Sequence, residues 1–311
     1  MLAIINVILP VFALITLGNL AVRFRLFPAD GVRGLVLFVN NFATPCLLFN
    51  ALATSDFSET FNWGVIIPFY VGAVTVFFIG MMLATRVFGR NPGEGVASAF
   101  SATFTNTVLV GIPIISRAYG EQALPTVFSI IAFHASLLLT FGMLTMELVR
   151  RDGAPLHKVL GVAFVRIIKN PLLWGIVFGI GANLLEIRLI EPAQAFVTMM
   201  AAAVTPAALF GLGGALNEYR LSENWAQALS MALLKLIVQP VIAWTIMVPI
   251  LHVDHDVARY GVLLAAMPTG INAFVFATYY NRGVNIATNT ILLSTVLSVV
   301  SISVWLYLLG L

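Results

Sequence analysis

Two short stretches of this 311-residue chain combine residues that break helices with residues that hold anions. The first is Phe104-Thr105-Asn106-Thr107-Val108-Leu109-Val110-Gly111-Ile112-Pro113; the second is Met267-Pro268-Thr269-Gly270-Ile271-Asn272. Each interrupts a segment otherwise apolar enough to cross a bilayer. In hydrocarbon an unpaired backbone group costs several kcal/mol, so a non-helical stretch survives only where protein or a water-filled cavity replaces its partners. Proline is tolerated at the first helical position, which makes Pro113 and Pro268 the expected starts of second half-helices. A half-helix N-terminus offers free N–H groups and a partial positive charge. Asn106 and Asn272 add side-chain amides, and Gly111 and Gly270 permit close backbone approach. With Thr107, these residues form a candidate site for a carboxylate. In the competing reading Asn106 and Asn272 are interhelical glue, typically worth under about 2 kcal/mol.

Three further features carry possible chemistry. Lys235 falls well inside an apolar segment, where a charge is a functional hypothesis by default. It can gate, or cap backbone carbonyls and hold a domain together. His134 lies midway along another apolar segment; it is expected either to carry a coupling proton or to sit neutral and hydrogen-bonded. Thr44-Pro45 and Thr205-Pro206 are read as kinks whose threonine hydroxyls occupy carbonyls released by proline, and Thr44 and Pro45 are candidates to line a substrate path. Glycines 175, 179, 181, 211, 213 and 214 suit close helix packing without any ligand.

The elements that must position these residues follow from composition. Hydrophobic residues make up 60% of the chain and charged residues 9%, with mean hydropathy +1.00, which excludes an ordinary soluble domain. Apolar runs place ten membrane helices at 3–22, 34–54, 62–85, 95–116, 123–148, 170–186, 193–216, 227–250, 258–280 and 286–309. The first run lacks a basic leader and cleavage site and is read as a retained helix. Alternating the loops puts 12 of the 16 basic residues on one side, leaving Arg117, Arg188 and Arg259 on the other and Lys235 within a span. By the positive-inside rule the first side is cytoplasmic and both termini face away from it. The basic residues thus report topology, not nucleic acid. The lone Cys46 offers neither a disulfide framework nor a metal-ligand spacing, so no metal or cofactor is expected.

Five spans precede and five follow a basic connector, so a second half resembling the first must insert upside down. Thr-Pro recurs in spans two and seven. From Pro45 to Pro113 is 68 residues and from Pro206 to Pro268 is 62, which aligns spans four and nine. Such paired discontinuous helices point to a secondary transporter with a midplane site. The chain divides into a first repeat (1–149), a cytoplasmic connector (150–169) and a second, inverted repeat (170–311). The connector, with Leu156, Val159, Leu160, Val162 and Phe164, is either an amphipathic surface helix or a plain loop.

The ten-span layout, the run Asn106…Gly111-x-Pro113, and Lys235-Leu236 with Pro240 resemble the auxin efflux carrier family of plant PIN-type and bacterial organic-acid carriers. The resemblance spans the whole chain, and the short connector matches the bacterial form. It implies an all-α inner-membrane protein in which spans four and nine cross, as in bile-acid symporters and sodium/proton antiporters. Spans one, two, six and seven would form a scaffold, often dimeric, and the others a moving transport domain. The expected activity is alternating-access transport of a small mono- or dicarboxylate. A sodium-coupled bile-acid-type symporter is the alternative. An intramembrane enzyme finds only His134 with Ser129 or Ser136, without an oxyanion motif; no acidic residue lies deep in a span.

Overall fold

The computed structural model describes residues 2–54, 61–150, 161, 165, 168–217 and 224–311. Within these residues the chain is helical throughout, and one isolated bridge, Thr105 with Thr269, is its sole β pairing. Seven helices are long and apolar enough to cross a membrane: α1 (Leu2–Arg23), α2 (Ala29–Ala53), α3 (Trp63–Val87), α6 (Glu121–Val149), α8 (Glu191–Leu216), α9 (Trp225–Ile250) and α12 (Val284–Leu308). Shorter helices among the described residues include α4 (Pro92–Thr103), α5 (Thr107–Tyr119), α7 (Pro171–Leu184), α10 (His255–Ala265) and α11 (Asn272–Tyr280). Spans four and nine of the sequence reading are therefore interrupted, the first at 104–106 and the second at 266–271. Most of the connector expected at 150–169 lies outside the described residues.

Proline accounts for three of the five π turns among the described residues. Three π turns, Val39–Ala43, Thr107–Gly111 and Leu234–Val238, each end two residues before a proline, namely Pro45, Pro113 and Pro240. A proline ring clashes with the carbonyl four residues back and offers no N–H to it, and a wider turn relieves both faults. Two expectations are corrected here. Pro113 does not open its half-helix, because the π turn carries the helix back to Thr107. Pro268 does not start one either; it lies in the connecting segment, and helix resumes only at Asn272. The two prolines therefore do not occupy matching places.

Packing separates the helices into two groups. α1 with α8 and α2 with α7 form the most extensive pairs, and α2 also packs on α8. A second group gathers α3, α4, α6, α9, α10, α11 and α12, with α3 on α4 and α9 on α12 as its main seams, and α5 touches both groups, packing on α1 and α8 as well as on α6 and α10. The first group meets at glycines. A Cβ on Gly213 would fall on the Ile15 carbonyl, and one on Gly175 would lie 2.5 Å from the Pro45 carbonyl, so both seams need a residue without a side chain. Gly181, expected to share this role, faces no neighbour. Thr44 also departs from expectation, since its buried hydroxyl has no hydrogen-bond partner and so does not cap the carbonyl that Pro45 releases.

Candidate functional site

The two interruptions lie against each other. Asn106 N donates to Pro268 O at 2.8 Å and Gly270 N to Phe104 O at 2.9 Å, a two-bond antiparallel bridge centred on Thr105 and Thr269. Each stretch thereby satisfies part of the other's backbone, which is how a break persists where water is scarce. Neighbouring helices supply the rest. His134 on α6 places Nε2 3.2 Å from Thr105 N and 3.1 Å from Thr105 O. Ser294 on α12 stands in the corresponding place for the second break and accepts from Thr269 N at 3.1 Å.

Both first half-helices end here with carbonyls that no further turn can satisfy. The Thr269 hydroxyl donates to Ser101 O at 2.8 Å, closing the end of α4. Lys235, fully buried, donates from Nζ to Ala265 O at 2.6 Å, closing the end of α10. A cation suits the negative end of a helix dipole. Of the roles open to Lys235, the geometry displays the carbonyl cap.

The second half-helices begin differently. Asn106 is the N-cap of α5, and its Oδ1 accepts from Leu109 N at 3.2 Å. Its Nδ2 is buried and has no partner. α11 starts at Asn272, which is exposed, and no side chain caps this end. Ala273 and Phe274 bond back to Gly270 and Ile271 instead.

A cavity of about 450 Å³ opens beside the crossing. Asn106, Thr107, Gly270, Asn272 and His134 all line it, so five sequence candidates converge on one space. The remaining candidates stand elsewhere. Gly111 is packed toward α10, where a Cβ would come 2.7 Å from a methyl of Leu264. Pro268 is committed to the bridge. Pro113, Thr44, Pro45 and Lys235 are not among the lining residues. Other polar lining residues were not legible as a site. They are Asn40 and Asn41 in the π turn of α2, Asn170 at the start of α7, and Ser136 and Thr140 of α6. The available signal was the asparagine pair one turn before Pro45, since proline loosens the turn upstream of itself. Most other lining residues are apolar, among them Leu37, Phe104, Val108, Ile131, Leu139 and Val275. The cavity also lies between the two helix groups, because α2 and α7 belong to one and the crossing and α6 to the other.

A multi-pass helical bundle with a cavity at paired helix breaks has the build of a membrane transporter. The chain belongs to the family described as membrane transport protein, whose family model matches residues 3–306. It is 28% identical over 308 residues to the "Putative malonate transporter" of Rhizobium meliloti (strain 1021), covering 97% of this chain and 95% of that one. It is 26% identical over 321 residues to the lysosomal cholesterol signaling protein of Mus musculus, matching 96% of this chain but spanning only 37% of the mouse protein. Auxin efflux carrier component 5 of Arabidopsis thaliana is 24% identical over 218 residues, 60% of this chain and 62% of that carrier. The resemblance to auxin efflux carriers is thus upheld, and the names of the bacterial and plant relatives accord with a transporter and not an enzyme.

Proposed function

We propose that this protein is a secondary transporter of a small organic anion, a mono- or dicarboxylate, working by alternating access in an elevator-like manner. The observation that carries the reading is the buried, unpartnered Nδ2 of Asn106 at a half-helix N-terminus, in a cavity shared with Asn272. A carboxylate accepts hydrogen bonds and only accepts them, so it complements a site whose free group is a donor. The dipole of α5 supplies partial positive charge without a basic side chain. The relative named for malonate agrees with a carboxylate substrate.

In this reading the chain crosses the membrane ten times as two inverted five-helix repeats, each with a broken helix: α4 with α5, and α10 with α11. The group containing the crossing moves against α1, α2, α7 and α8, which also supply a homodimer face. The position of the cavity between the two groups supports this division. The distribution of basic residues supports cytoplasmic loops at 23–33, 86–90, 150–169, 220 and 282, with both termini on the other side of the cell inner membrane.

Counterflow in proteoliposomes tests the proposal. Saturable uptake of a labelled carboxylate, accelerated by the same acid inside, and its loss in a folded Asn106→Ala/Asn272→Ala protein are expected. Non-saturable flux would replace the carrier with a channel. Strict dependence on a sodium gradient would favour the bile-acid-type alternative.

A further inference from the structure

The ring of His134 is held in a way that no binding of substrate by amides alone requires. Its Nε2 is within hydrogen-bond distance of both Thr105 N and Thr105 O, so the same backbone residue serves the ring nitrogen with or without its proton. Protonated Nε2 donates to the carbonyl; unprotonated Nε2 accepts from the N–H. Packing fixes the ring in place, with the ring centres of Phe104, Phe69 and Tyr70 at 4.7, 5.7 and 6.3 Å. Nδ1 is buried and has no partner at all. His134 lines the same cavity as Thr105 and Asn106, whose Oγ1 and Nδ2 are likewise buried without a partner.

Resting on the anion site proposed above, we infer that His134 is a proton-binding site of the transport cycle, charged only while a carboxylate occupies the cavity. One proton from the aqueous phase adds to the imidazole as the anion enters. The resulting imidazolium donates Nε2–H to Thr105 O and holds a second N–H at Nδ1. On the far side the proton and the anion leave together, and no other bond is made or broken.

The charge inventory explains why the two events are linked. Tyr70 of α3 is the titratable group stacked near the ring, and its hydroxyl is already committed to Ile130 O at 2.7 Å. Lys235 of α9 is committed to Ala265 O and brings no negative charge to the ring. On α10, Arg259 and Tyr260 pack on the Tyr119 ring and Asp256 pairs with Arg259. Glu147 is thirteen residues further along α6, about 20 Å at 1.5 Å per residue. Cys46 of α2 is not a lining residue, and among the lining residues of α2, α5, α6, α7 and α11 His134 is the only titratable one. An imidazolium in the empty cavity would be a buried charge without a counter-ion, which is costly; a carboxylate removes that cost and gains from the charge. Ser294, the counterpart of His134 at the second break, cannot carry charge, which sets the stoichiometry at a single proton.

Isothermal calorimetry of the purified full chain tests this, with malonate, benzoate and octanoate as probes at pH 6.5 in two buffers of different ionisation heat. The expected result is uptake of about one proton per bound anion in the wild type. His134→Gln should still bind the anion, more weakly, with proton uptake near zero. Unchanged uptake in His134→Gln would place the proton on the acid itself and overturn the inference, as would an uptake of zero in the wild type. Nitrogen-15 NMR of histidine-labelled wild type gives a second reading that does not depend on the variant folding. A new imidazolium signal on adding the binding acid supports the site, and imidazole signals that stay neutral refute it. If none of the probes binds, the anion site falls and the coupling with it; binding without protons removes the coupling alone.

Discussion

The two helix breaks do the same structural job with different parts. At the first, residues 104–106, the backbone leans on His134 and the next half-helix is capped by Asn106. At the second, residues 266–271, the backbone leans on Ser294, the preceding half-helix is closed by Lys235, and the next one begins uncapped at an exposed Asn272. Thr105 and Thr269 face each other across the bridge, yet Thr269 uses its hydroxyl on Ser101 O while the Thr105 hydroxyl is buried without a partner. One break is thus built as a donor-rich, titratable wall and the other as a fixed strut. Two breaks that meet carry no obligation to match in chemistry, because each needs only to complete the other.

The comparison can be broken at four residues. Asn106→Ala should have the largest effect, since it removes both a helix cap and the free buried donor. A hydrogen bond to a charged group is worth about 1.5–3 kcal/mol, so carboxylate affinity should drop by roughly 10- to 150-fold, read by ligand-induced thermal shift across a concentration series. Thr269→Val comes next. It preserves shape but strands the Ser101 carbonyl, and a loss of about 1–3 kcal/mol should lower the melting temperature of the ligand-free protein. Asn272→Ala should weaken the same carboxylate by less than about tenfold and leave ligand-free melting unchanged, because the side chain is exposed and caps nothing. Equal losses at Asn106 and Asn272 would erase the asymmetry argued here. Thr105→Val should be the smallest, neutral or slightly stabilising in the same melting assay, since the hydroxyl it removes is buried and unpaired. A destabilisation as large as that of Thr269→Val would show that the two threonines act alike after all.

Legibility from sequence followed the range of the interactions involved. The break positions could be read because Pro, Gly and Asn act on their own turn. Asn106 and Asn272 were visible for the same reason, as amides beside those interruptions. The expected half-helix starts at Pro113 and Pro268 failed because proline constrains the turn before it, and one site answered with a π turn while the other gave up helix for six residues. Thr44 failed likewise, its buried hydroxyl having no hydrogen-bond partner. Asn40, Asn41 and Asn170 were passed over because nothing local distinguishes an asparagine facing a cavity from one facing another helix.

Composition and hydropathy alone determined a multi-helix membrane protein, for in hydrocarbon an apolar chain must satisfy its backbone internally and helices do so residue by residue. The same local logic placed two interruptions and their asparagines. Which polar groups meet was decided only by tertiary structure. Thr105 with His134, Thr269 with Ser294 and Lys235 with Ala265 are separated by 29, 25 and 30 residues, and the partners in the bridge by far more. No local propensity spans such distances; packing of the helices brings these groups together, and only there does a donor or a cap acquire its identity.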